Sequence, residues 1–453
     1  MSILISIIVF IVTVLALVTV HEYGHFWVAR KFGFKVQKFS IGFGKAIVRW
    51  FGKDGTEYVI AILPLGGYVK MLDEREGEVS PHLRHMEFNQ KPVWSRFLVV
   101  AAGPGTNILF ALIAFWLMFV IGVKQVKPVI GNVIPNSIAA QAGLRSQQQI
   151  IGIDGNPMKD WQDIILAIVE RMGEKGSMAI QVSNNDGSVK THQLNLNTWD
   201  TGGLDPQPLM SLGFEPYQPF VPAIIANFDS KGAASKAGMK IGDKVLSVDG
   251  KKVKDWETFV RAIQNKPDAI VKLIVLRNKT RHIINVKTEQ KRVSLNRRIG
   301  YIGVQGKWVP WSEDLKFEEK YSVFYAWIPA WQEVWRLFDF NAYVLWKLIR
   351  GQISLASLGG PITIYKAADV AFKQGLVVFL SFLGLVSVML AFVNVLPIPG
   401  LDGGHLLYFI IEAIKRKPIS TRAQILGIRL GVIFLVVIMV QATINDLMRL
   451  FAH

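Results

Sequence analysis

The stretch VTVHEYGHFWVAR, residues 18–30, places two histidines and a glutamate at the end of an apolar segment. The eighteen residues that precede His21, Ile3 to Val20, carry no charge. Ionisable side chains are costly inside a bilayer and occur there mainly at functional sites. The stretch therefore predicts a membrane-spanning helix that carries a polar site at one end.

The spacing of His21, Glu22 and His25 is that of a zinc-binding helix. Residues four apart lie on the same face of a helix, so both imidazoles project together. Neutral imidazoles bind Zn²⁺, and a carboxylate beside them takes a proton from water as a general base. The H-E-x-x-H pattern thus predicts two metal ligands, His21 and His25, and a catalytic base, Glu22. Two core histidines are the alternative interpretation.

Four segments are long enough to cross a bilayer, which takes about 20 apolar residues. They are predicted at residues 1–29, 97–123, 376–397 and 423–446. The first has no basic residue at its start and no small-residue cleavage site, which favours a retained helix over a signal peptide.

The formal net charge of +17 comes with basic residues that flank the apolar segments, and their distribution predicts the orientation of the chain in the membrane. Residues 30–96 hold twelve Lys or Arg, and the short loop between the third and fourth spans is also basic. Cytoplasmic loops are enriched in Lys and Arg, so both loops are predicted to be cytoplasmic and both termini external. No nucleic-acid-recognition pattern accompanies the charge. The lack of cysteine excludes disulfides, thiolate metal sites and a cysteine nucleophile.

Residues 136–161 and 231–256 are two copies of one pattern, which align without a gap at an offset of 95. The pattern predicts a short helix, a Gly turn, an apolar strand, an Asp-Gly turn and a second helix. It resembles the PDZ domain, which binds an extended peptide as an added strand. The resemblance implies one domain over 126–219 and another over 220–304.

Peptide binding is expected more of the second copy than of the first. The second copy contains Ile241-Gly242-Asp243-Lys244, where the first has Ser146-Gln147-Gln148-Gln149 and lacks the Gly-Asp. The alternative is that both copies are spacers that exclude bulky substrates.

A third zinc ligand is predicted far along the chain, because catalytic zinc takes three protein ligands and keeps one open position. The stretch NVLPIPGLDGGH, residues 394–405, offers Asp402 in a Gly-rich turn after Pro397 and Pro399 end the third span. His405 is the competing ligand, and Asp402 is preferred. The predicted topology brings this turn and the H-E-x-x-H helix to the same membrane face.

Three further segments have open interpretations. The Trp-rich stretch 324–350, within a predicted external region 305–375, is either an interfacial helix on the outer leaflet or a core helix packed on the spans. The pair His82 and His85 is expected on a solvated face. Gly103-Pro104-Gly105 predicts a kink, a close helix contact or part of a lateral gate.

Taken in order, these parts resemble the site-2 protease family of intramembrane zinc metalloproteases, in the bacterial branch with two PDZ domains. The H-E-x-x-H span, the repeat and the motif N-x-x-P-x-P-x-L-D-G carry the resemblance, which covers essentially the whole chain. It implies a polytopic α-helical membrane protein with four transmembrane helices. Two tandem PDZ domains of the α+β class lie between spans two and three. A membrane-associated β-hairpin follows span one, within residues 30–96; an ordinary cytoplasmic loop is the alternative there.

The resemblance also implies the site residues. Zinc is held by His21, His25 and Asp402, and Glu22 is the base. The hairpin offers an edge strand to an unwound substrate helix. The implied substrate-binding residues are Asn394, Gly42, Gly44, Pro397 and Pro399.

The implied function is cleavage of the transmembrane segments of pre-trimmed single-span proteins in the bacterial inner membrane. A membrane-bound anti-sigma factor is the leading substrate, and remnant signal peptides are another. The termini and PDZ domains are expected in the periplasm and the active site near the cytoplasmic side. Expected partners are such substrates, PDZ peptide ligands and the lipid bilayer. A non-catalytic, membrane-anchored PDZ receptor or assembly factor and a metal transporter are the alternatives.

Overall fold

A computed structural model describes residues 3–200, 207–229, 232–292, 298–307 and 309–452. The chain forms two compact units. One combines Met1–Lys124 with Glu318–Asp446, and the other is built on Gln125–Phe317.

The described residues form twelve α-helices and eighteen β-strands. The helices are α1 (Ile3–Lys31), α2 (Val93–Ile121), α3 (Ile138–Gln141), α4 (Trp161–Arg171), α5 (Pro208–Leu212), α6 (Ala233–Lys236), α7 (Trp256–Gln264), α8 (Trp327–Ile349), α9 (Pro361–Gln374), α10 (Leu376–Val395), α11 (Asp402–Lys415) and α12 (Thr421–Ala452). The strands are β1 (Val36–Phe51), β2 (Glu57–Met71), β3 (Val123–Val126), β4 (Ile130–Val133), β5 (Gln149–Ile153), β6 (Asn156–Pro157), β7 (Ser177–Ser183), β8 (Val189–Asn195), β9 (Phe214–Pro216), β10 (Ile225–Phe228), β11 (Lys244–Val248), β12 (Lys251–Lys252), β13 (Ile270–Arg277), β14 (Thr280–Lys287), β15 (Glu289–Arg292), β16 (Arg298–Tyr301), β17 (Val304–Gly306) and β18 (Lys316–Glu319).

Four of the described helices, α1, α2, α10 and α12, are long and apolar enough to cross a membrane, as the sequence predicts. The helix α2 is central, because it packs against α1, α8, α10 and α11. Small residues bring α1 close to it. A Cβ at Gly24 would overlap the Ala102 carbonyl oxygen, and Thr106 Oγ1 donates across the interface to the Val20 carbonyl oxygen at 3.0 Å. Close backbone approach of this kind replaces the hydrophobic effect as the cause of helix association in lipid.

The strands β1 and β2 form the expected hairpin, and it folds back on itself. Ser40 faces Val59 on one side and Tyr68 on the other, so the first half of β1 pairs with both ends of β2. Gly42 and Gly44 lie where β1 bends, with φ of +93° and +90°, a backbone conformation that favours glycine. The resulting order of segments across the sheet is 46–51, 57–61, 36–41 and 67–71.

The second unit contains two β-rich modules with the same plan, in agreement with the predicted PDZ repeat. Each has a four-stranded sheet, β6-β5-β7-β8 in the first and β12-β11-β13-β14 in the second. Each sheet packs on its own apolar core. The Asp-Gly pairs form the predicted two-residue turns, with φ of +47° and +85° at Asp154 and Gly155 and nearly the same values at Asp249 and Gly250. The boundaries 126–219 and 220–304 stay predictions.

The two modules differ at the loop before their central strand. In the second module the buried carboxylate of Asp243 accepts from the Lys240 N–H and pairs with Arg277 at 2.7 Å. Gln148 holds the corresponding place in the first module, where its Oε1 accepts from the Arg145 N–H at 2.8 Å. A neutral amide thus replaces the ion pair while the loop keeps the same backbone hydrogen bond.

The Trp-rich stretch forms α8, which has two different faces. Ala330, Val334 and Leu337 are buried against the spans, as expected for a core helix. Trp331 and Trp335 are more than half exposed on the other face. The helix therefore packs on the spans and still presents aromatic side chains outward.

Candidate metal centre

The first part of the centre lies on α1, where the sequence predicts it. His21 and His25 stand one turn apart, and their Nε2 atoms lie 3.2 Å from each other. The Nδ1 of His25 donates to the Val99 carbonyl oxygen at 2.8 Å, so the Nε2 lone pair is directed at the partner ring. The Nδ1 of His21 lies 3.2 Å from Nδ2 of Asn107.

The second part is delivered by the turn between α10 and α11. The helix α10 ends at Val395, just before the two prolines, and Asp402 is the first residue of α11. Gly403 and Gly404 let this turn fold back tightly, because a Cβ on either would overlap backbone atoms of residues 395–399. The turn places the Asp402 carboxylate beside the histidines of α1.

The three donor atoms converge on one point. Oδ2 of Asp402 is 3.1 Å from Nε2 of His21 and 3.4 Å from Nε2 of His25. Ligands bound to zinc at about 2.0 Å in tetrahedral geometry lie roughly 3.3 Å apart. Within the described part of the chain, these three residues form the one group of this kind whose donor atoms lie within 4.8 Å of one another. His405, the competing ligand, is outside the group.

The electrostatics of Asp402 fit a cation. Its Oδ2 is buried and has no hydrogen-bond partner among the described residues. Burial alone would raise the pKa of this carboxyl, but the ring nitrogens of His21 and His25 hold that pKa well below its ordinary value. Asp402 thus offers an ionised carboxylate beside two imidazoles, a set of donors that zinc takes.

Glu22 lies between the metal centre and the hairpin. Its side chain is 9% exposed. The β2 backbone passes directly against it, since a Cβ at Gly67 would lie 2.8 Å from Cγ of Glu22 and 2.7 Å from the Ser40 carbonyl oxygen. Gly67 does not adopt a left-handed conformation, so close approach is the reason that glycine is needed here.

We expect Gly67→Ala to lower peptidase activity by roughly 10–100-fold, because displacing a reacting group by about 1 Å costs up to 10²-fold. The added methyl group pushes Glu22 or the hairpin away and leaves the three ligands untouched, so zinc content should not change. Gly77→Ala in the following loop is the matched control, since a Cβ there meets no described atom within 4 Å. Equal activity of the two variants would contradict this contact's role.

Residues 9–438 match the model of Peptidase family M50. The chain belongs to peptidase family M50. This confirms the resemblance drawn from the sequence motifs, and the chain is a zinc metallopeptidase and a multi-pass membrane protein.

The M50 relatives match this chain over nearly its whole length. It is 42% identical over 450 residues to "Protease RseP" of Yersinia pestis, covering 99% of this chain and 100% of the relative. It is 41% identical over 441 residues to "Regulator of sigma-E protease RseP" of Escherichia coli, covering 97% and 98%. A "Putative zinc metalloprotease" of Vibrio cholerae is 40% identical over 453 residues, covering 99% and 100%.

The other predicted site residues lie at the end of α10, in the turn that leads to Asp402, and at the bend of β1. Asn394 is half-buried in the last turn of α10, and its carboxamide has no hydrogen-bond partner among the described residues. Pro397 is exposed, while Pro399 packs against α12, where a Cβ at Gly431 would overlap its carbonyl oxygen. Their binding of substrate stays a prediction, as does that of the two bend glycines of β1. His82 and His85 are exposed, as expected.

Sequence reasoning missed several groups that support the candidate metal centre. Arg96 of α2 forms a two-pronged ion pair with Glu412, at 2.7 and 3.2 Å, which ties α11 to α2. Asn107 was also missed, although a carboxamide in an apolar span is itself a signal of function. The close contact of Gly67 has no signal in composition, because it depends on what the fold brings opposite.

Proposed function

We propose that this M50 peptidase hydrolyses peptide bonds within the transmembrane segments of single-span proteins. In this proposal His21, His25 and Asp402 hold zinc and Glu22 is the general base. The observation that carries it is the convergence of the three donor atoms, 3.1–3.4 Å apart, at the end of an apolar helix. A centre there meets water from one side and a lipid-embedded substrate from the other.

The chemistry needs both the metal and the carboxylate. When bound, zinc polarises the scissile carbonyl and lowers the pKa of water towards about 7. Glu22 accepts the proton of the attacking water on a carboxylate oxygen and then delivers it to the leaving amine nitrogen. Its burial keeps other water away from that oxygen and favours transfer to substrate.

The substrate helix has to unwind, because a helical carbonyl is hydrogen-bonded and shielded. The hairpin segment 67–71 can stabilise the unwound substrate by pairing with it. It is an outer segment of the sheet, and among the described residues it pairs with 36–41 alone. A substrate strand added along this edge regains backbone hydrogen bonds next to Glu22. Asn394 lies in the last turn of α10, and its free carboxamide holds the substrate or the oxyanion.

The second PDZ module is the better candidate for peptide binding. A cavity of about 400 Å³ lies between α7 and residues 299–304, and its lining is mostly apolar. In the first module α5 packs against α4, the helix that corresponds to α7, with Leu209 and Leu212 buried. The proposed role of the pair is to admit substrates whose outer part has been shortened.

The proposed substrates are membrane-bound anti-sigma factors that have already been cut on their outer side, and remnant signal peptides. The support is the similarity to relatives named as regulators of sigma-E. The proposed location is the bacterial inner membrane, with the two basic loops in the cytoplasm and the PDZ modules and termini in the periplasm. Loop charge supports this orientation.

The test uses the purified full chain in lipid vesicles with two matched single-span substrates. Both have the same span; one has a short outer tail and the other a folded outer domain. We expect cleavage of the first substrate only, and cleavage of both after deletion of residues 126–304. Equal cleavage of both by the intact chain would contradict the filter. Cleavage of neither would contradict the proposed activity.

A further inference from the structure

One face of α2 lies against both proposed zinc-binding histidines. Val99, Gly103 and Asn107 follow one another at intervals of four residues, so they share a face of the helix. All three are buried. Each contacts a histidine of α1 in a different way.

The Val99 carbonyl oxygen orients His25. It accepts from Nδ1 of His25 at 2.8 Å, which fixes the proton on Nδ1 and frees Nε2. Histidines that bind metal nearly always donate their other ring N–H in this way. Because the acceptor is a backbone atom, no side-chain substitution at Val99 removes it.

Gly103 provides the space that both rings occupy. A Cβ at this position would overlap Nε2 and Cε1 of His25 and would lie 2.8 Å from Cε1 of His21. Those overlaps fall on the edge of His25 that faces the metal. Any larger residue at position 103 therefore displaces a ligand atom.

Asn107 faces the Nδ1 of His21, as the Val99 carbonyl faces the Nδ1 of His25. It differs from the Val99 carbonyl because its carboxamide is a side-chain group that can rotate. Its side chain is fully buried, and its backbone carbonyl accepts from Ser387 Oγ at 2.8 Å, which anchors this turn to α10. The carboxamide presents Nδ2 to Nδ1 of His21 at 3.2 Å. Its Oδ1 has no hydrogen-bond partner among the described residues.

The two orientations of this carboxamide select different forms of His21. With Nδ2 towards the ring, the amide donates to Nδ1, so the ring proton is on Nε2 and blocks metal binding. With Oδ1 towards the ring, the amide accepts from Nδ1–H and the Nε2 lone pair is free. A half-turn of the carboxamide exchanges the two forms.

We propose that Asn107 is a positioning residue that sets the metal-binding tautomer of His21, with Oδ1 turned to Nδ1 when zinc is bound, and that Gly103 makes room for both ligands. This inference rests on the proposed function, because it takes His21 and His25 as ligands.

The test measures the apparent zinc affinity of the full chain by competition with a chromophoric chelator. Asn107→Leu keeps the number and branching of the side-chain heavy atoms and removes the hydrogen bond, and we expect it to weaken zinc binding by about 10–100-fold. Asn107→Asp offers only acceptor oxygens, and we expect binding at least as tight as that of the parent. If Asp weakens binding as much as Leu, accepting a hydrogen bond from His21 Nδ1 is not what Asn107 contributes, and the inference is wrong.

A pair of glycine variants tests the second part. Gly103→Ala should lower the zinc affinity by more than tenfold. Gly105→Ala on the same helix should bind zinc as tightly as the parent, because a Cβ there meets no described atom within 4 Å. Equal affinities of the two variants would contradict the role of Gly103.

The parent protein separates this inference from the proposed function. If the parent binds no zinc, or if His21→Ala binds it as tightly as the parent, the proposed function fails. If the parent needs His21 and Asn107→Leu binds as tightly as the parent, only the inference about Asn107 fails.

Discussion

Glu22→Gln should abolish peptide-bond cleavage while leaving zinc bound. The amide has nearly the same shape as the carboxylate but cannot accept the proton of the attacking water. Loss of a general base costs roughly 10²–10⁴-fold in rate. The measurement is the initial rate of cleavage of a single-span substrate in vesicles, together with zinc content per chain.

The control for this prediction is the neighbouring residue on α1. Tyr23 is 52% exposed and lies outside the metal centre. Tyr23→Phe should cleave at the parent's rate. A Glu22→Gln protein that cleaves as fast as Tyr23→Phe would remove Glu22 from the mechanism and favour a different base.

Asp402→Ala should empty the metal centre, with zinc falling from about one ion per chain to almost none. The carboxylate is the only anion among the three donors, and without it two imidazoles remain, which is too few ligands for a catalytic zinc site. Activity should be lost with the metal. Zinc content of the purified variant, measured by atomic spectroscopy, checks the expectation.

His405→Ala is the matched variant, because His405 was the other candidate ligand in the same turn. It should retain zinc, since its ring lies outside the group formed by the donor atoms. Burial lowers the pKa of His405, so it is a neutral neighbour and not a second charge at the centre. Loss of zinc from His405→Ala and retention in Asp402→Ala would reverse the assignment.

Local spacing was enough to predict the part of the centre that lies on one helix. His21 and His25 share a face of α1 because they are four residues apart, whatever the rest of the fold does. The end of α10 was also predictable, since Pro397 and Pro399 cannot continue a helix. Membrane topology predicted that Asp402 and these histidines lie at the same face of the membrane. It did not predict that their side chains are in contact.

Features that depend on contacts between distant parts of the chain could not be predicted from the sequence. The hairpin was predicted as such, but its folding back on itself depends on which segments of β2 align with β1, and bends at Gly42 and Gly44 decide that. A close helix contact was one of the interpretations of Gly103-Pro104-Gly105, yet the rings that Gly103 faces are set by the crossing of α1 and α2. The Val99 carbonyl is a backbone group present at every position, so no residue type signals it.

The most direct measurement of the central claim is the mass of the products formed from one single-span substrate in lipid vesicles, with zinc stripped and then restored. We expect two products whose masses together equal that of the substrate plus one water, with the cut inside the apolar segment. We also expect no cleavage without zinc and recovery when zinc is returned. Cleavage that continues without zinc, or a cut outside the apolar segment, would contradict an intramembrane zinc peptidase.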